Sequence, residues 1–196
     1  LSVIWKNTFK PISEANLGMS VEYSTVRRLA LAGMVFISLL GTALHFTYDL
    51  SDGNLLVAVF SAVNESVWEH LKLVFWPAAV FAPIEIAYLR KIPSSFLPAK
   101  AVSMWLMPTV IVAMFYTSKL FIKESLAFDL FTFYFSIVLG QLVGLKIMGK
   151  ILPKNVSYLA LFAIASLASA FIYFTFYPPR IFLFQDPVTG GYGINR

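Results

Sequence analysis

No cysteine occurs anywhere in this 196-residue chain, which removes disulfides, thiolate nucleophiles and Cys-based zinc or iron–sulfur sites together. Charge is scarce: Asp, Glu, Lys and Arg make up 13% of residues, against about 25% in an ordinary soluble domain. Histidine occurs only at His45 and His70. A Gly-rich phosphate loop, a Ser-centred nucleophile elbow and an internal repeat of the transporter kind are all missing. Nor does any basic run with interleaved aromatics mark a nucleic-acid surface. The net charge of +5 reads instead as loop cations facing an anionic leaflet.

What fills the chain is hydrocarbon. Hydrophobic residues make up 59% of it and the mean hydropathy is +0.77, values of a polytopic membrane protein. Nineteen Phe, nine Tyr and four Trp suit a lipid-facing surface with aromatic belts at the headgroups. A membrane helix needs about 20 mostly apolar residues, and five segments reach that length: roughly 29–48, 71–88, 101–121, 127–148 and 156–177. The expected fold is therefore an all-α membrane helical bundle, with residues 1–26 as an N-terminal extension, 27–177 as the transmembrane domain and 178–196 as a tail. The apolar stretch 55–63 is too short to cross and reads as a re-entrant or interfacial segment, N-capped by Ser51 or Asp52.

Lysine and arginine concentrate in short cytoplasmic loops. With five spans, ten fall on the side of the N-terminus and five on the other, so an N-in, C-out orientation in the cell membrane is expected. That orientation brings three polar segments to the outer face. One carries Asp49, Asp52, Glu65, Glu69 and His70; another Lys119, Lys123 and Glu124; the third is the tail with Arg180, Gln185 and Asp186. The tail contains Asp186-Pro187 followed by Thr189-Gly190-Gly191, which supply a turn and positions for positive φ. It is expected to fold back onto the outer face.

Ionisable residues at a bilayer edge are costly and mark a candidate site by default. His45 and Asp49 are four apart on the last turn of the first helix and share a face. If helix continues unbroken through the second cluster, 100° per residue sets Ser61, Glu65, Glu69 and Lys72 within one sector of about 80°. Asn64 and Trp68 flank that sector, and His70 falls on the opposite side; His70 joins the site only where the helix is broken. The expected metal ligands are thus His45, Asp49 and Glu69, around a divalent cation suited to nitrogen and oxygen donors. Glu65, Glu69 and Lys72 are the candidate catalytic groups, with Asn64, Trp68 and Asp186 as candidate ligand contacts. The same charges also suit salt bridges locking the first two helices together, and Trp68 an interfacial anchor. Pro77 and Pro83 should kink the second helix and free backbone carbonyls. Glu85, near its inner end, is expected to snorkel or pair with Arg90.

Three stretches carry a resemblance. Leu44-His45-Phe46-Thr47-Tyr48-Asp49, then Phe60-Ser61-Ala62-Val63-Asn64-Glu65-Ser66-Val67-Trp68-Glu69-His70-Leu71-Lys72, then Asp186-Pro187-Val188-Thr189-Gly190-Gly191-Tyr192-Gly193 together resemble an uncharacterised family of prokaryotic multi-pass membrane proteins. The likeness runs from about Arg27 to Gly193. It implies a small integral membrane protein and brings no activity with it. A looser resemblance is to the alkaline-ceramidase and adiponectin-receptor type of hydrolase, which sets a Ser, an Asp and three histidines around zinc. This chain departs from that pattern with two histidines and five spans.

The functional expectation is a metal-dependent hydrolase or transferase acting on a lipid-like substrate at the outer leaflet. The alternatives are a non-enzymatic component that binds or transports a small ligand or ion, and a structural membrane subunit.

Overall fold

The computed structural model describes residues 14–121 and 125–194. Lys123 and Glu124, expected on the site face, lie outside the described residues, as do residues 1–13 of the extension. Six α-helices follow in order: α1 (Glu14–Leu50), α2 (Leu55–Ala58), α3 (Val67–Tyr88), α4 (Phe96–Ser118), α5 (Leu126–Met148) and α6 (Lys154–Phe176), with a short 3₁₀ turn at Phe182–Phe184. Five are long and apolar enough to cross a membrane, α1 through its Ser24–Leu50 portion. A 23-residue helix such as α4 rises about 34 Å, enough for a hydrocarbon core of about 30 Å.

The helices pack because each buries one stripe. α4 lies against α5 and α6, while α1 lies against α3 and α5, and α3 also meets α4. Ile37, Val74, Phe75, Met107, Ile137 and Phe171 meet in the central core, and a second cluster around Phe96, Ala99 and Met148 fills the end where α3 gives way to α4. Two glycines set the closest approaches. A Cβ on Gly140 would lie 2.4 Å from Cγ of Met107, so α5 meets α4 on small residues, as its Gly140/Gly144 pair foreshadows. A Cβ on Gly41 would lie 2.3 Å from the carbonyl oxygen of Leu73. That oxygen is the one Pro77 cannot serve, having no N–H to donate four residues back. Helix α3 runs on through Pro77 and Pro83, and the backbone of α1 takes the space beside the freed carbonyl.

Two expectations need correction here. The cap of the short α2 is Asn54, whose Oδ1 accepts from the N–H of Leu56 at 2.9 Å; Ser51 and Asp52 belong to the preceding turn, in which Asp52 and Gly53 take positive φ. Glu85 pairs with Lys100 of α4 at 2.5 Å, not with Arg90, because both side chains are buried at the α3–α4 end and a buried carboxylate requires a partner.

Candidate metal centre

The helical run expected from residue 55 onward stops after one turn, and residues 59–66 are irregular. Helix α3 restarts at Val67 with Ser66 as its N-cap, its hydroxyl accepting from the N–H of Glu69. The Ser66-Val67-Trp68-Glu69 spacing is that of a capping box, a signal that could have located the break from sequence. Here the Glu69 carboxylate reaches back further, to the N–H of Val63 at 3.1 Å, while Asn64 Oδ1 takes the N–H of Ser66 at 2.8 Å.

The break brings His70 into the site. His45 Nε2 of α1 and His70 Nε2 of α3 lie 3.1 Å apart, and Oε2 of Glu65, from the irregular loop, is 3.7 Å from the first and 3.4 Å from the second. Among the described residues this is the group of His, Asp and Glu side chains whose donor atoms all lie within 4.8 Å of one another. Donors 2.0–2.1 Å from a tetrahedral zinc ion stand about 3.3 Å apart, close to all three separations. His70 Nδ1 donates to the Ser66 carbonyl at 2.8 Å, which fixes the proton on Nδ1 and leaves the Nε2 lone pair facing the cluster. When their Nε2 atoms carry protons, His45 and then His70 hold the neighbouring Glu65 carboxyl well below the usual carboxylate range; a cation in the triangle would take the place of those protons. Glu65 is half exposed, so one side of the triangle is open.

The other expected residues are placed differently. Glu69 and Lys72 form a buried ion pair at 2.5 Å. The Lys72 ammonium also donates to the Ala58 carbonyl at 2.7 Å and to Thr175 Oγ1 of α6 at 3.0 Å. Asp49 is exposed one turn beyond His45. Neither Asp49 nor Glu69 belongs to the triangle. Asn64 Nδ2 donates to the Gly193 carbonyl at 2.8 Å, and Trp68 packs in tilted and edge contacts among Phe171, Phe174 and Phe184, so the tail is docked on the start of α3. Asp186 is buried and organises that tail: its carboxylate accepts from the N–H of Val188 and from the Thr189 hydroxyl at 2.6 Å.

Ser61 is the residue whose part the sequence did not disclose. Its hydroxyl accepts from the N–H of Tyr48 at 3.0 Å and donates to the carbonyl of Leu44, the two groups of one rung of α1. It also meets Thr47 Oγ1 at 3.0 Å. The loop is thereby fastened to the turn of α1 that carries His45.

Phe46 lies beside the His45 ring at 4.8 Å between centroids, and Leu50 at the end of α1 and Leu55, Leu56 and Phe60 on and just after α2 are exposed apolar side chains. No curated protein and no solved structure matches the chain. A family model described as a family of unknown function, DUF6512, matches residues 19–194, a span that takes in the helical bundle, all three members of the triangle and the docked tail, and the chain belongs to that family.

Proposed function

We propose that this multi-pass membrane protein binds a divalent transition metal through His45, Glu65 and His70 and uses it in hydrolytic or transfer chemistry on an amphipathic, lipid-like substrate. The observation that carries the reading is the triangle itself: two imidazole nitrogens and one carboxylate oxygen, from three separate chain segments, at separations of 3.1 to 3.7 Å. Two histidines and one carboxylate form a ligand set of catalytic zinc, which keeps its fourth position open, whereas structural zinc is closed by four protein ligands. A cation held there supplies Lewis acidity. Glu65 supplies the negative charge, and the Ser66 carbonyl orients the His70 ring. The exposed apolar side chains at the end of α1 and on α2 suit acyl chains beside a polar centre, and the lysine and arginine bias of the loops supports a position of this end outside the cytoplasm.

Metal analysis of protein purified without chelator tests the reading. About one zinc, manganese or iron per chain is expected, lost in His45→Ala and His70→Ala and reduced at least tenfold in Glu65→Gln. An intact protein free of stoichiometric metal, and unable to take up added zinc or cobalt, would sink it. Metal bound without turnover of ester or phosphoester lipids in bicelles would assign the site to ligand or ion binding instead.

A further inference from the structure

The placement of the loop that carries Glu65 decides whether the triangle exists. Besides the bond of Asn64 to the tail, two sets of ties lead from it to the neighbouring helices. On one side, Lys72 has all three N–H donors engaged: with Glu69, with Thr175 of α6 and with the Ala58 carbonyl just before the loop begins. Glu69 in turn holds the N–H of Val63 in mid-loop, and Thr175 donates to its other oxygen or to the Phe171 carbonyl. Lys72, Glu69 and Thr175 are all buried, and every hydrogen-bonding group of the ammonium is matched, the condition under which a buried pair holds geometry. On the other side, Ser61 fastens the loop to the rung of α1 that adjoins His45.

We propose that Lys72, Glu69 and Ser61 are positioning residues, a two-sided clamp that sets Glu65 against the two imidazoles. The ammonium fixes the loop to α3 and α6, and the serine hydroxyl fixes it to α1. Because His45 rides on α1 and His70 on α3, the clamp sets the loop against both helices at once. Lys72 is enclosed and fully partnered, so it does not meet substrate; its effect on the site runs through the loop. This assignment rests on the reading of the triangle as a metal centre, but the clamp can be tested apart from the metal.

Absence of native cysteine permits a direct test of loop position. Thiols are introduced as His45→Cys with Glu65→Cys, and the rate of their joining by a short dithiol-bridging reagent is measured in detergent micelles. The same pair is placed in three further backgrounds: Ser61→Ala, Glu69→Gln with Lys72→Met, and Glu85→Gln with Lys100→Met. The last removes an equally buried pair at the far end of α3 and controls for general loosening. Expected is a slowing of tenfold or more in the first two and none in the third. Equal rates in all four, or equal slowing in the control, overturn the clamp. Should the Glu69/Lys72 variant not fold, Ser61→Ala alone decides. Cobalt(II) titration of the otherwise intact protein gives the second arm, with at least tenfold weaker binding and an altered visible spectrum expected in Ser61→Ala; an unchanged affinity and spectrum also overturn the clamp. If the unmodified protein takes up no cobalt, the metal reading fails while the bridging rates still judge the clamp.

Discussion

At the scale of single residues, the chain sets its tightest constraints where a helix has no side chain at all. Gly41 lies against the Leu73 carbonyl that Pro77 leaves without a helical donor, so a methyl group there meets backbone, which cannot rotate away. Gly140 faces Cγ of the buried Met107, with the Ser103 carbonyl oxygen at 3.3 Å, so a methyl there displaces a side-chain stem in the first instance. Gly41→Ala is expected to cost about 1–3 kcal/mol, and Gly140→Ala less; thermal unfolding of the two variants in one detergent checks the order. Equal losses would show that α1 can slide away from α3 without consequence. His70 belongs to the same scale. Its Nδ1 proton is committed to the Ser66 carbonyl, so the ring presents a lone pair inward, an orientation that composition cannot reveal.

At the scale of elements, the decisive event is the start of α3. Ser66 caps it, and its own carbonyl orients the ring four residues on, so one residue both begins the helix and aims an imidazole. Ser66→Ala is expected to cost about 1 kcal/mol of stability, read as a lower midpoint of thermal unfolding, and faster hydrogen exchange at the amide of Glu69; exchange unchanged from the unmodified protein would count against the cap. This boundary also explains how much was legible in the sequence. The spans could be read directly, because some twenty apolar residues between charged loops leave few alternatives in a bilayer. The polar cluster could be located for the same reason, since Glu65, Glu69 and His70 stand out against hydrocarbon. Lys72, three residues on, could be read as the cation for Glu69, and the two do pair; the partners of Glu65 and His70 could not be assigned, because a wheel drawn through residues 59–66 assumes a helix that the chain abandons after Ala58. Removing that assumption moves His70 from the far side to a corner of the triangle, and leaves Glu69 beside Lys72. The burial of Lys72 depends on Thr175, more than a hundred residues away, and no local pattern encodes it.

At the scale of the whole molecule, α3 carries a buried carboxylate–lysine pair near each end: Glu69 with Lys72, and Glu85 with Lys100 of α4. The second lies about 22 Å along the helix from His70 at 1.5 Å per residue and belongs to the packing of the opposite end. Lys100→Met strands the Glu85 carboxylate and is expected to destabilise by about 3–5 kcal/mol; adding Glu85→Gln should recover most of this. Unfolding midpoints of the single and double variants measure the difference, and a double variant as weak as the single would mean that the cation serves packing rather than charge. The tie between Asn64 and Gly193 spans 129 positions and has a consequence for biogenesis. Chains are made from the N-terminus, and their segments fold as they emerge. The loop bearing Glu65 therefore receives its last fastening only after α6 and the docked turn have left the ribosome. A nascent chain thus carries His45, Glu65 and His70 together while one of the ties that set the loop is still to be synthesised.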